Sequence, residues 1–354
     1  MKQKDKKRST RSTGKLTQLN FPDLDVLDDL EVDSGYKARR VSHKSSTSFK
    51  QGMKLERGRI REIKSNYSNI VELGDKEVTA SLSGRIKQFQ YETHILCSVG
   101  DYVEVDTSNA PDYRIEQILP RRNTLSRYTA GSYQKQVIVA ANIDQVIITV
   151  SWREPLIKPG LIDRYLCIAE IDGLQPVICI NKIDLCEYEE DVEELTAYYR
   201  QLGIKVLLCS TVSGRGMEEL REALKDKDSV FSGQSGTGKS SLINYLEPDL
   251  NLATGEVSSF NEKGRHTTTQ AVLLPWSFGG HLLDTPGIKT VNLHSDSKKL
   301  IPSVFPGFKD LAARCKFSDC THTHEEDCAV LDALEEDKIP IERYDSYVRI
   351  YESL

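Results

Sequence analysis

The chain has 354 residues, of which 38% are hydrophobic and 28% charged, a composition typical of a globular protein with two or three domains. Its net charge is −6, and its longest apolar runs, such as QVIITV and PVICI, are too short to cross a bilayer. Because no secretory signal opens the sequence, we expect a cytoplasmic protein without membrane contact rather than a secreted or membrane protein.

The first predicted region, residues 1–50, is a polar and basic arm. Its first 15 residues contain seven Lys or Arg against Asp5 alone, a local charge of +6, so the rest of the chain is acidic. A Ser/Thr-rich segment without hydrophobic periodicity is typical of disorder. Its positive charge suits contact with RNA phosphates and suits a solubilising tail equally well, and the sequence leaves both open.

The second region, residues 51–120, contains five short runs in which apolar and polar residues alternate. The runs are RGRIREIK, NIVEL, EVTASLSG, GDYVEVD and YRIEQIL, and turn residues separate them. Alternation is the period of a half-buried strand. The pattern predicts an N-terminal antiparallel β-barrel of the oligonucleotide-binding (OB) type, although an SH3-like barrel would give a similar pattern.

In the third region, residues 121–298, buried strands alternate with amphipathic helices. The predicted strands are NIDQVIITVS, QPVICINKIDL, IKVLLCS and HLLDTPG, and the predicted helices are PGLIDRYLCIAEIDG and DVEELTAYYRQLG. Each of these helices ends at a glycine, Gly173 or Gly203, as helices often do. The alternation predicts a parallel, doubly wound α/β sheet.

The stretch VFSGQSGTGKSSLINYL has the spacing of a phosphate-binding loop between a strand and a helix. Glycines allow the backbone N–H groups of such a loop to turn toward phosphates, and the following helix adds its N-terminal dipole. Lys239 is predicted to reach the β- and γ-phosphates, and the Ser240 hydroxyl to bind Mg²⁺. The predicted loop residues are Gly233, Gln234, Ser235, Gly236, Thr237, Gly238, Lys239, Ser240 and Ser241.

Three further elements predict that the nucleotide is GTP or GDP. Asn181, Lys182 and Asp184 form an N-K-x-D motif at a strand end, where a carboxylate can accept hydrogen bonds from the guanine ring N–H and amine. Ser210 ends the next strand and is predicted to support the base through its backbone. Asp284 and Gly287 form a D-x-x-G motif, the pattern that senses Mg²⁺ and the γ-phosphate.

The order of these motifs along the chain is unusual. GTPases commonly place the phosphate loop first and N-K-x-D near the end, whereas here N-K-x-D at residue 181 precedes the loop at 233 and D-x-x-G at 284. Reordering of this kind is a circular permutation, which is allowed because domain termini lie at the surface and often close together. It makes D-x-x-G the last GTPase element before the C-terminal region.

With this motif order, GQSGTGKSSL, GRHTTT, DTPGI and a closing Cys/His cluster, the sequence resembles the circularly permuted GTPases that act late in maturation of the bacterial small ribosomal subunit (RsgA/YjeQ-like proteins). The resemblance covers residues 55–354. It implies an OB-type barrel at 51–120, a circularly permuted GTPase domain at 121–298 and a mostly helical zinc-binding domain at 299–354. It also implies GTP/GDP, Mg²⁺ and the small ribosomal subunit with its rRNA as partners of a monomeric protein.

The cluster Cys315-x4-Cys320-x-His322-x5-Cys328 predicts one metal site. Cysteine clustering in a chain without an export signal favours a metal over disulfides. Three thiolates and one imidazole match a closed, structural zinc site. His324 is a rival fourth ligand by spacing, and the resemblance selects His322.

The catalytic residues depart from those of common GTPases, many of which carry a Gln after D-x-x-G. Here that position is Ile288, which cannot orient water, so His266 beside the switch threonines is the candidate for that role. One of Thr267, Thr268 and Thr269 is expected to complete the Mg²⁺ shell, and Thr268 is taken as the candidate. We therefore expect hydrolysis that is slow alone and stimulated by the small ribosomal subunit. The alternative is a nucleotide-regulated rRNA-binding protein whose hydrolysis is incidental.

Overall fold

The structure is a computed structural model, and it describes residues 53–64, 68–87, 97–128, 136–252, 271–284 and 293–354. The basic arm lies outside the described residues. So do the predicted catalytic and switch positions His266 and Thr268, together with Gly287 and Ile288.

The N-terminal part is a closed five-stranded barrel. Its strands are β1 (Leu55–Ile63), β2 (Ser68–Leu73), β3 (Lys76–Leu82), β4 (Tyr102–Asp106) and β5 (Tyr113–Ile118). They pair in the order β1-β2-β3-β5-β4, and the β1–β4 pairing closes the barrel. The apolar residues of the alternating pattern point inward, and those with no exposed surface are Ile60, Val71, Ala80, Val103, Val105 and Ile115. The predicted barrel and its five strands are confirmed, with one departure from an antiparallel barrel: β3 and β5 pair in parallel.

A two-stranded hairpin, β6 (Thr124–Tyr128) and β7 (Gln136–Ala141), leads from the barrel into the central sheet, and the sequence reasoning did not predict it. Asn142, which follows β7, donates from its side chain to the Gly100 carbonyl at 3.0 Å. An isolated parallel bridge between Val99 and Ala140 adds a second contact with the barrel. The end of the hairpin is therefore held against the barrel segment that precedes β4.

The central sheet has the order β10-β9-β8-β11-β13-β12 and is parallel except for β12. Its strands are β8 (Gln145–Ser151), β9 (Gln175–Asn181), β10 (Lys205–Leu208), β11 (Lys227–Ser232), β12 (Val272–Pro275) and β13 (Gly280–Asp284). All seven residues of β8 are buried, as expected of a strand covered on both faces. The predicted α/β architecture is confirmed, with the strand bounds a few residues shorter than the apolar runs.

In the part of the chain that the structure describes, four helices flank this sheet: α1 (Pro159–Asp172), α2 (Glu189–Gln201), α3 (Met217–Leu224) and α4 (Lys239–Leu246). Helix α1 ends at Gly173, which takes the left-handed conformation (φ +66°), and backbone N–H groups at the cap return to the carbonyls of Ala169 and Glu170. This is the glycine stop that the sequence predicts, because only glycine adopts that conformation without strain.

Residues 53–354 form one unit in which the barrel and the central sheet are continuous. Barrel strand β1 pairs antiparallel with β12 through Glu62 and Val272. Beside this pairing, Arg59 of β1 forms a buried ion pair with Asp228 at the start of β11. The barrel is thus held to the sheet by both backbone pairing and buried charge.

The C-terminal part is helical, with α5 (Ile301–Val304), α6 (Lys309–Ala312), α7 (Ala329–Glu335) and α8 (Ile341–Glu352). The sequence predicts helix only from residue 325 onward, so α5 and α6 are additions; each is a single turn, too short for helical periodicity to reveal. The buried aromatic residues Phe305, Phe308 and Tyr347 join the core that also contains α1. Within the described ranges, no helix is both long and apolar enough for a membrane span.

Candidate functional site

The predicted phosphate loop lies between the end of β11 at Ser232 and the start of α4 at Lys239. Two of its glycines are required by close approach. A Cβ at Gly233 would lie 2.0 Å from the carbonyl oxygen of Thr149, and one at Gly238 would lie 2.3 Å from the side-chain nitrogen of Asn181. The loop is therefore pressed against the ends of β8 and β9, and larger residues would displace it.

The side chains of the loop fold inward. Lys239 donates from Nζ to the carbonyls of Gly233 and Gln234, both at 2.7 Å, which holds its ammonium group over the loop. The buried Thr237 donates from its hydroxyl to the Gln234 carbonyl at 3.0 Å. Ser235 and Gly236 are exposed at the tip, and Ser240 and Ser241 are half-buried in the first turn of α4. A positive charge beside a helix N-terminus suits a polyphosphate.

The N-K-x-D residues are adjacent to this loop. Asn181, the last residue of β9, donates from Nδ2 to the Thr237 carbonyl at 2.9 Å. Its Oδ1 is buried and, among the described residues, has no hydrogen-bond partner. An unsatisfied buried acceptor suits an edge that a ligand completes. The structure thus joins two motifs that lie 56 positions apart in the chain.

Asp184 and Ser210 are also brought together. The Ser210 hydroxyl donates to Oδ1 of Asp184 and accepts from the backbone N–H groups of Val212 and Ser213 at 3.2 and 3.1 Å. Asp184 is exposed, whereas Ser210 is fully buried. The sequence predicted only backbone support from Ser210; its hydroxyl also orients the carboxylate that would meet the base.

The segment after β8 was not predicted to take part in the site. The backbone N–H of Trp152 donates to the Asn181 carbonyl at 2.8 Å, and Ser151 donates from its hydroxyl to the Pro155 carbonyl at 2.7 Å. Lys182, in the left-handed conformation (φ +57°), donates from Nζ to the carbonyl of Glu154. The only sequence signal is that Glu154 and Pro155 lie within four residues of the end of a buried strand, where α/β sheets place their ligand sites.

Asp284 is the last residue of β13, which runs parallel to β11. Leu283 is the register partner of Val230, so Asp284 and the phosphate loop lie at the same edge of the sheet. The carboxyl ends of β8, β9, β11 and β13 therefore lie at the same edge of the sheet. This is the edge at which parallel α/β sheets bind their ligands. Gly287 lies outside the described residues.

The Cys/His cluster forms a compact set of four donors. The ligand atoms of Cys315, Cys320, His322 and Cys328 all lie within 4.8 Å of one another. The two sulfurs of Cys315 and Cys328 are 3.9 Å apart, and Nδ1 of His322 lies 3.5 and 3.3 Å from them. Tetrahedral zinc with bonds of about 2.3 Å to sulfur and about 2.0 Å to nitrogen separates its ligands by roughly 3.5–3.8 Å. The donor set fits zinc.

The neighbours of His322 leave Nδ1 available for a metal. Nε2 of the ring is 3.2 Å from the Pro302 carbonyl, so this nitrogen carries the proton and Nδ1 faces the sulfurs. Burial lowers the pKa of His322, which keeps its imidazole neutral, and burial raises the pKa of the Cys320 thiol to about 12. A divalent cation among the sulfurs would reverse the shift at Cys320, because coordination deprotonates a thiol.

His324 is not part of this cluster. It is exposed, and its Nδ1 is 2.8 Å from the Thr323 hydroxyl. The Glu325 carboxylate accepts hydrogen bonds at 2.7–3.2 Å from the backbone N–H groups of Thr321, Thr323 and His324. Burial alone would raise the pKa of Glu325, but these bonds lower it, so a carboxylate caps the turn that presents His322.

Comparison with protein families gives one match of long extent. A family model described as RsgA GTPase matches residues 118–294. A protein of Caldanaerobacter subterraneus subsp. tengcongensis, named Small ribosomal subunit biogenesis GTPase RsgA, is 42% identical over 257 residues, which cover 73% of this chain and 83% of that protein. A protein of the same name from Saccharophagus degradans is 39% identical over 312 residues, covering 80% of this chain and 89% of its own.

Two solved structures share the fold. The crystal structure of YjeQ from Thermotoga maritima superposes with a TM-score of 0.69 and 32% identity, covering 85% of this chain and 99% of its own. The crystal structure of YloQ, described as a circularly permuted GTPase, gives a TM-score of 0.66 and 27% identity over 89% of this chain and 97% of its own. Both matches extend well beyond the nucleotide-binding sheet.

Proposed function

The chain belongs to the RsgA GTPase family, and from this membership we propose that it binds the small ribosomal subunit and assists its late maturation, hydrolysing GTP to GDP and phosphate. One observation carries the proposal: the Asn181–Thr237 hydrogen bond joins a guanine-type motif to a phosphate loop inside a fold shared with YjeQ. The names of the relatives support the ribosomal partner, and the contact between the two motifs supports the nucleotide site.

In the proposed site, the Asp184 carboxylate reads the guanine base, Lys182 lies along its ring, and Asn181 and Ser210 hold that edge in place. The backbone of residues 233–241 surrounds the phosphates, with Lys239 on the β- and γ-phosphates. Ser240 and Asp284 act on Mg²⁺, which neutralises charge on the phosphate oxygens when bound. The support is the convergence of these residues at one edge of the sheet.

The proposed catalytic group is His266, which would orient the attacking water in place of the residue at Ile288, and Thr268 would complete the Mg²⁺ shell. These assignments rest on the sequence, because all three positions lie outside the described residues. An isoleucine cannot hydrogen-bond to water. The proposal therefore includes slow hydrolysis by the free protein and stimulation by the subunit.

The proposed metal is one structural zinc ion held by Cys315, Cys320, His322 and Cys328. A closed set of four ligands leaves no position for a substrate, so the ion would hold the C-terminal region in shape rather than catalyse. We assign the barrel (51–120) and this region (299–354) to rRNA contact and the part between them to GTP. The protein is proposed to act as a cytoplasmic monomer.

Turnover with and without purified small ribosomal subunits tests the proposal. We expect the subunits to raise the GTP turnover rate of the parent protein, and His266→Ala to lose most of this gain while retaining GTP binding. Unchanged turnover on subunits would favour the alternative, an rRNA-binding protein with incidental hydrolysis. A His266→Ala variant that is stimulated like the parent would contradict the catalytic assignment alone.

A further inference from the structure

The wall of the barrel is joined to Asp284 by a continuous line of backbone partners. Glu62 of β1 is the register partner of Val272 in β12, and Val272 is the register partner of Asp284 in β13. On its other side, Glu62 pairs with Ile70 of β2. Strand β12 therefore links the barrel to Asp284, which lies at the edge of the proposed nucleotide site.

Arg61 of β1 reinforces this line. Its Nε and Nη2 both donate to the Leu273 carbonyl in β12, at 3.1 and 2.9 Å. Its remaining nitrogen, Nη1, pairs with the Glu77 carboxylate on β3. Leu273 is the register partner of Leu283, the residue directly before Asp284. The guanidinium thus binds β12 at Leu273, which is the residue that pairs with the end of β13.

The opposite ends of the neighbouring strands are held separately. The Asp228 carboxylate, at the start of β11, accepts from Arg59 of the barrel and lies 2.8 Å from Nδ1 of His281 in β13. Burial would raise the pKa of Asp228, but its bonds with His281 and Arg59 lower it, so the group stays ionised. The carboxyl end of β13 is held on one side by β11, where Val230 is the register partner of Leu283, and on the other side by β12.

We propose that Arg61 is a positioning residue for the GTPase reaction. Its two hydrogen bonds to the Leu273 carbonyl hold β12 in place, and β12 in turn helps to hold Asp284 in position to act at the γ-phosphate. The inference rests on the role proposed above for Asp284. Because β1 belongs to the barrel, the barrel would help to hold Asp284, the residue proposed to distinguish GTP from GDP. Lysine offers a single ammonium in place of the planar guanidinium and would replace it only in part.

The test compares Arg61→Met with the parent full-length protein. Methionine keeps an apolar stem but removes every donor. We expect affinity for a non-hydrolysable GTP analogue and kcat to fall about fivefold or more, while GDP, which has no γ-phosphate, binds as before. Arg61→Lys should fall between the two. Glu77→Gln is the matched control, because it alters the other bond of the same guanidinium and leaves both Leu273 bonds in place.

Asp284→Asn, measured in parallel, separates this inference from the one it rests on. If Asp284→Asn discriminates the GTP analogue from GDP like the parent, the proposed role of Asp284 is wrong. If Asp284→Asn no longer discriminates the GTP analogue from GDP, whereas Arg61→Met still does, only the positioning role of Arg61 is wrong. Equal losses of GDP and analogue binding in Arg61→Met would reduce Arg61 to a packing contact and also overturn the inference. Should Arg61→Met fail to fold, the same comparison is made with Arg61→Lys.

Discussion

Replacing Arg343 by methionine should loosen helix α8 from the rest of the molecule. Arg343 donates from Nη1 to Oδ2 of Asp163 in α1 at 2.8 Å and also to the hydroxyl of Tyr199 in α2. Tyr199 donates to the other oxygen of Asp163 at 2.9 Å. The Asp163 side chain is fully buried, so the variant would leave a buried carboxylate with no cation.

The expected cost is about 3–5 kcal/mol, the range for removing one partner of a buried ion pair. The pH dependence follows from the pKa of Asp163, which burial raises although Arg343 opposes the rise. Without Arg343, the pKa rises further, and the folded state then binds the proton more tightly than the unfolded chain. The loss of stability in Arg343→Met should therefore be larger at about pH 8 and smaller at about pH 5.

Amide hydrogen exchange of α8 measures this effect locally. If local opening governs exchange, the cost corresponds to exchange faster by about a hundredfold or more, while β8 keeps its protection. Adding Asp163→Asn to Arg343→Met should restore much of the protection, because a neutral amide replaces the unpaired charge. Arg349→Met is the control, since Arg349 on the same helix is 80% exposed and its Asp345 partner is 3.9 Å away. Parent-like exchange in Arg343→Met would refute the reasoning.

Two further predictions concern ligand and metal. Asp184→Asn should weaken GTP binding and improve binding of xanthosine triphosphate in competition titrations, each by roughly ten- to a hundredfold, because a charged hydrogen bond contributes about 1.5–3 kcal/mol. Equal affinity of the parent for GTP and ATP would contradict this assignment. Metal analysis should find one zinc per chain; Cys320→Ala should lose it and still bind GTP, whereas the control Cys186→Ala should keep it. Stoichiometric zinc in Cys320→Ala would contradict the ligand set.

Local patterns in the sequence predict the strands of the barrel, the strands of the central sheet and the stop of α1 at Gly173. Each of these depends on residues close together in the chain, whose spacing reflects burial of one face. The contacts between regions could not be predicted in this way. Arg59 and Asp228 are 169 positions apart, and an arginine in an alternating strand looks like a solvent-facing residue until its partner is known.

The candidate site shows the same division. Motif spacing predicts the residues of a nucleotide site, and the structure brings several of them together. It does not predict that Ser210 donates to Asp184 or that the segment after β8 accepts from Lys182. Spacing also left His322 and His324 as rival ligands. The structure places Nδ1 of His322 among the sulfurs, because the Pro302 carbonyl takes the other ring nitrogen, and that carbonyl lies 20 positions away.

Co-sedimentation with small ribosomal subunits under different nucleotides tests the central claim most directly. The proposed function predicts that the protein sediments with subunits more strongly in a non-hydrolysable GTP analogue than in GDP. By linkage, subunits must then raise the affinity for the analogue over GDP by the same factor. Equal sedimentation with the analogue, with GDP and without nucleotide would contradict a GTP-dependent role on the subunit.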